Sequence, residues 1–190
     1  MSKSIKLGVI TCSVAAIIGV VQTYFSDDIR INQKGLEIIG NMEGCRRDAY
    51  KCPADVITVG IGSTEFGGKK IDVNHKYTNH EIAERWVHDL KIAQNCINTY
   101  FNGRRMNDNQ FSAMSSLAFN IGCTNIRSYY SKAQGKRVFT TIYKYAALNQ
   151  FDAMCQRIID FNKAGGVVLR GLVTRREAER DLCLTKPVSH

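Results

Sequence analysis

The sequence predicts an α+β fold in which helix dominates, on three observations. Apolar residues recur at helical spacing through long stretches after residue 78, a short β-branched run precedes them, and only two prolines interrupt 190 residues. This order describes a small mixed N-terminal lobe, a long connecting helix and a helical C-terminal lobe. A chain of this length suffices for one domain, or for two lobes sharing a core. Hydrophobic residues make up 44% of it, which supplies that core and argues against disorder.

The first element is a membrane segment, residues 1–27. Residues 7–26 carry no charge, and their centre, GVITCSVAAIIGVV, is mostly apolar. Roughly 20 such residues span a bilayer. Lys3 and Lys6 before the stretch and Asp27 and Asp28 after it would leave the N-terminus in the cytoplasm and the body outside. Its hydrophobicity is weak, so a cleavable secretory signal and a buried core helix are the alternatives.

Asn32 then caps a helix over residues 33–40, with Leu36, Ile39 and Gly40 on one face, which delivers Glu43 at its end. Residues 49–63 read as a small β region, Val56, Thr58 and Gly60 alternating against Ile57, Val59 and Ile61. These elements make up the small lobe, residues 28–77. Thr78 and Glu81 form a capping box for the connecting helix, residues 78–101, whose apolar stripe is Ile82, Trp86, Leu90, Ala93, Ile97 and Tyr100. After the Asn102-Gly103 break, shorter helices are expected over 108–121, 139–147, 151–161 and 174–182, inside a helical lobe of residues 102–190.

The net charge of +9 calls for an anionic partner, whether nucleic acid, acidic lipid or acidic polymer, and charge alone does not choose. Seven cysteines include no CxxC pair and no Cys/His cluster at zinc spacing. Disulfides in an oxidising compartment are therefore expected, with no metal and no cofactor. The odd count leaves one thiol over.

The densest chemistry lies in MEGCRRDAYKCPADVITVGIGST, residues 42–64, where Glu43, Cys52 and Thr58 stand at the spacing Glu-x8-Cys-x5-Thr. This triplet resembles the catalytic signature of the phage-type lysozymes (glycoside hydrolase family 24, the endolysins), in which the Cys position is Asp in many members. QFSAMSSLAFNIGC, residues 110–123, is similar to the family's helix behind the cleft. KAGGVVLRGLVTRREAERDLCL, residues 163–184, is similar to its C-terminal segment, where a Gly-Leu-Val turn precedes a helix bearing paired arginines. The resemblance covers nearly everything after Asp28. It implies a two-lobed lysozyme-like fold, a released monomer, and hydrolysis of peptidoglycan between N-acetylmuramic acid and N-acetylglucosamine, with no nucleic acid involved. The chain departs from many relatives at Ser63 and Asp55, where they carry His and Gly, outside the triplet.

Glycoside cleavage needs a proton for the leaving oxygen and a second group that handles the oxocarbenium charge or activates water. The resemblance makes Glu43 the general acid, Cys52 the base or nucleophile, and Thr58 the residue that positions water. It places Phe119 and Asn120 along the cleft and pairs Arg175 or Arg176 with Glu43. Taken singly, each has a plainer reading: a solvated acid, half of a disulfide, a strand threonine, solvated arginines. Arg46, Arg47 and Lys51 would favour an ionised Cys52, and Asp48 and Asp55 would oppose them.

The weakly apolar N-terminus resembles a signal-anchor-release segment, exported, tethered to the bacterial inner membrane facing the periplasm, and then released into it. Three cysteines fit a redox lock known in that subtype. With Cys12 in lipid, Cys45 bonds Cys52 and blocks it; on release Cys12 attacks Cys45 and restores the Cys52 thiol. Cys96, Cys123, Cys155 and Cys183 then form two bridges, in one of three connectivities. The alternative is an inert Cys12 with the other six permanently paired. Rival functions are a lytic transglycosylase and a non-catalytic cell-wall binding protein.

Overall fold

A computed structural model describes residues 12–52, 55–67 and 69–187. Helix α1 (Val14–Tyr24) opens on Ser13, whose hydroxyl accepts from the Ala16 amide, and buries Ile17, Ile18 and Val21 against the body. At about 1.5 Å per residue its 11 residues reach roughly 16 Å, half a bilayer core. No helix among the described residues is long and apolar enough to cross a membrane. In this conformation the N-terminal stretch is thus a core helix, the reading that hydropathy ranked behind a span; residues 1–11 lie outside the described residues.

Helix α2 (Gln33–Glu43) starts at Asn32, whose side-chain oxygen accepts from the Gly35 amide at 3.0 Å. It runs three residues past the expected end and stops at Gly44, which adopts φ 71°. Gly40 is the slot for α1. A Cβ there would collide with the Val14 side chain and lie 3.6 Å from the Trp86 ring.

Strands β1 (Arg46–Lys51), β2 (Ile57–Gly60) and β3 (Ser63–Thr64) form one antiparallel sheet in that order, with Tyr50 opposite Thr58 and Val59 opposite Ser63. The expected in-out alternation is absent: Thr58, Val59, Gly60 and Ile61 are all buried. The connecting helix α3 (Asn79–Tyr100) covers the second face, with Ile82 so close that a Cβ on Gly60 would meet it at 2.8 Å. Its capping box of Thr78 and Glu81 is formed, and Trp86 is fully buried at its centre.

Helix α4 (Asp108–Ile121) matches its expected bounds, opened by a second capping box of Asn107 and Gln110. It is buried from Gln110 to Ala118, the axis around which α2, α3 and the C-terminal helix pack. Beyond it come α5 (Cys123–Arg127), β4 (Ser128–Ser131), β5 (Lys136–Phe139), α6 (Thr141–Ala147), α7 (Phe151–Gln156), β6 (Lys163–Ala164), β7 (Val167–Val168) and α8 (Arg170–Leu184). Three expectations need correction. Helix α8 opens at Arg170, so Gly171, Leu172 and Val173, expected as a turn before a helix over 174–182, lie inside it. Residues 136–139 pair with 128–131 as a hairpin, so the helix expected from 139 begins only at Thr141, capped by the Thr140 hydroxyl. Helix α7 ends at Gln156 and gives way to a single 3₁₀ turn, Ile158–Asp160.

Three disulfides pin the body: Cys96–Cys123 ties α3 to α5, Cys155–Cys183 ties α7 to α8, and Cys12–Cys45 ties the lead into α1 to the α2–β1 junction. Cys52 keeps its thiol. Cys12 is therefore no inert apolar residue.

Candidate active site

Glu43 is the last residue of α2, and its carboxylate rests on the β2–β3 turn. A Cβ on Gly62, at φ +68°, would meet Glu43 Oε2 at 3.1 Å, so glycine is required there on two counts. Arg175 of α8 donates from Nη1 to Glu43 Oε1 at 2.7 Å. Between the two arginines considered from sequence, Arg175 is the one that reaches the acid.

Below Glu43 the ion pair continues inward. Arg175 Nε donates to Glu179 Oε1 at 3.2 Å, and Arg176 Nη1 lies 3.1 Å from Glu179 Oε2. The Ser116 hydroxyl donates to Glu179 Oε1 at 2.6 Å, and Arg176 Nη2 donates to Asn120 Oδ1 at 2.6 Å. Arg175, Arg176 and Glu179 are 4%, 0% and 0% exposed, so the paired arginines lie beneath the cleft surface and not on it. Burial pushes the Glu179 carboxyl up, against both guanidiniums and Ser116. Burial also pulls Arg176 down to about 10, which leaves it cationic at neutral pH.

Glu179 was missed in the sequence, although its spacing of three and four from the arginines put all three on one helix face. Glu179→Gln should cost about 3 kcal/mol or more, because it strands two buried cations with one remaining carboxylate between them. Urea unfolding measures this. A variant as stable as the parent would mean that the quartet is not held together by charge.

Cys52 follows directly on β1. Its amide donates to Val56 O at 3.0 Å and its carbonyl accepts from Asp55 at 2.8 Å, in a turn where Asp55 has φ 60°. Thr58, 3% exposed, donates its hydroxyl to Val56 O at 3.1 Å. The same ladder thus holds Cys52 and Thr58. Tyr50, opposite Thr58 and two residues before Cys52, was not anticipated. Its hydroxyl is pushed up by burial, then by the charges of Glu43 and Cys52, against Arg46, whose guanidinium lies 4.4 Å from its ring centre. One phenol therefore feels both the acid and the thiol. Of the cations expected to act on Cys52, Lys51 binds Asp55 at 2.8 Å, and Arg47 donates to Tyr77 O and Asn79 Oδ1.

A pocket of about 350 Å³ opens between the lobes, and Gly62, Thr64, Asp89, Phe119 and Gly122 are among its lining residues. Phe119 lines it, whereas Glu43, Cys52 and Thr58 are not among its lining residues. The Asn120 side-chain oxygen turns away to Arg176. Asp89, unremarked in the sequence, has its carboxyl pushed up by burial, eased by Ser63 and by the charges of His88, Arg85 and Lys69. Among the described residues no group of three or more His, Cys, Asp or Glu is placed to hold a metal ion.

Residues 40–179 match the profile of the family described as Phage lysozyme. The chain is 49% identical over 174 residues to the SAR-endolysin of Escherichia phage P1, covering 92% of this chain and 91% of that one. It is 52% identical over 155 residues to the SAR-endolysin of Haemophilus phage HP1, covering 82% and 81%. Among solved structures, the active form of the P1 phage endolysin Lyz superposes with a TM-score of 0.86 at 48% identity, over 92% of this chain and 94% of that one. The secreted inactive form of the same endolysin gives 0.60 at 49% identity, over 81% and 95%. At nearly equal identity, the present conformation is the closer to the active form.

Proposed function

Since the chain belongs to the phage lysozyme family, we propose that it is a signal-anchor-release endolysin that hydrolyses the β-1,4 bond between N-acetylmuramic acid and N-acetylglucosamine in peptidoglycan. The observation that carries this reading is the Glu43 carboxylate, gripped by a buried arginine at 2.7 Å and set beside the sheet that bears a thiol and a threonine. Arg175 occupies Glu43 Oε1, which leaves Oε2 to carry the proton delivered to the leaving oxygen. The Cys52 thiolate either takes a proton from water or attacks the sugar, and the Thr58 hydroxyl, donating to the backbone, keeps its lone pairs for water. Phe119 walls the bound glycan; Asn120, Arg175 and Arg176 act from below, by fixing Glu43.

Residues 1–27 serve as the export and release segment, and residues 28–190 as the lysozyme body. Export, tethering to the inner membrane and release into the periplasm follow the SAR-endolysin relatives. Strand geometry supports the redox lock. Cys45 and Cys52 flank the six residues of β1, and seven steps at ~3.3 Å each set an extended strand's ends roughly 23 Å apart. A disulfide needs Cα atoms about 4–7 Å apart. A Cys45–Cys52 bridge therefore excludes β1, and with it the pairing of Tyr50 and Thr58. Bonding Cys45 to Cys12 lets the strand form and returns the Cys52 thiol, so one exchange both unblocks and assembles the site.

The products test the reaction. Digests of isolated sacculi should end in reducing muramic acid, whereas a lytic transglycosylase would leave anhydro ends lighter by one water. Anhydro ends as the main product would overturn hydrolysis.

A further inference from the structure

The β4–β5 hairpin has no part in the cleft chemistry, yet it concentrates charge and aromatic surface. Residues 109–151 contain no Asp or Glu but carry Arg127, Lys132, Lys136, Arg137 and Lys144, against a net charge of +9 for the whole chain. None of these five enters an ion pair among the described residues. Beside them Tyr129, Tyr130 and Phe139 are 54%, 59% and 53% exposed. The two strands pair only with each other, joined by a turn at Gly135, φ 62°.

The register distributes these groups over both faces. Tyr130 lies opposite Arg137 and Ser128 opposite Phe139 on one face; Tyr129 lies opposite Val138 and Ser131 opposite Lys136 on the other. A sugar-binding platform would be aromatic on one face and set in a groove. A two-sided tip with tyrosines along its strands and lysines at its turn suits the headgroup layer of a bilayer. There amphipathic rings settle at the interface and cations meet phosphate.

We infer that the β4–β5 hairpin is a second membrane contact, docking the released enzyme on an anionic phospholipid surface independently of α1. Such docking confines the enzyme to the membrane side of the periplasm after its N-terminal segment has left the lipid.

The test is co-sedimentation of the full chain, in its Cys12–Cys45 form, with phosphatidylglycerol-containing vesicles or with phosphatidylcholine vesicles. The parent should bind the anionic vesicles, release them in high salt, and bind the neutral ones far less. K132Q/K136Q should weaken partitioning by about thirtyfold, from about fivefold per lysine near an anionic surface. Y129S/Y130S should weaken it on both vesicle types. Both variants should digest isolated sacculi at the parental rate. The inference fails if either variant partitions like the parent, or if neutral and anionic vesicles bind equally. It fails as well if digestion of sacculi falls while vesicle binding holds, which would make the hairpin a murein contact.

Discussion

Glu43→Gln is expected to slow lysis of permeabilised Gram-negative cells by about a thousandfold, within the range that a positioned general acid contributes. The substitution keeps the size of the side chain and an oxygen that can still accept from Arg175, whose second partner, Glu179, is untouched at 3.2 Å. The fold should therefore survive, and the melting transition should show it. What is lost is the proton for the leaving oxygen, which an amide does not supply. Glutamine retaining lysis within tenfold of the parent would remove Glu43 from the chemistry. Binding to sacculi that persists while lysis disappears is the expected pattern, and it separates an enzyme from a wall-binding protein.

Cys12→Ser should abolish lysis in cells as completely as losing the acid, for a different reason. Without the attacking thiol, the exported chain keeps Cys45 bonded to Cys52, β1 does not form, and the Cys52 thiol stays blocked. The Cys12–Cys45 bridge closes a separation of 33 residues, so its loss also costs about 3–4 kcal/mol in the chain-entropy account. Stability alone does not explain the expected rescue. A mild reductant that opens Cys45–Cys52 should restore digestion by Cys12→Ser in vitro, while Glu43→Gln stays inactive under the same treatment. Cys45→Ser, which cannot form the blocking bond, should lyse without waiting for release. Full activity of exported Cys12→Ser without reductant would sink the lock.

Local chemistry made much of this structure legible in the sequence. Thr78 stands three residues before Glu81, and that capping box formed where the pattern placed it; the second, of Asn107 and Gln110, follows the same pattern but came only with the structure. The hairpin at residues 128–139 was lost because its strands are four residues long, too short for a period of two to stand out from the helical spacing that follows. At the site, Glu43, Cys52 and Thr58 stood out through the family resemblance, because all three fall in the short stretch from the end of α2 to β2. Glu179 did not. Its meaning comes from burial against Ser116 on another helix, and a charged triplet on a helix reads from sequence as a solvated face. The N-terminal stretch was legible in one state alone, since hydropathy describes it in lipid and the structure holds it in protein.

On the proposed release of this segment from the membrane, that helix is written for two solvents. In α1 the bulky residues Ile17, Ile18 and Val21 turn inward, and the positions left facing water include Ala15, Ala16, Gly19, Gln22 and Thr23. What looks like half-hearted greasiness when the segment is judged as a bilayer span is, from the other side, a surface that tolerates water once the helix has docked. Enriching it for lipid would give the docked form an oily exterior, and enriching it for water would forfeit the anchor. Its composition is pinned between the two.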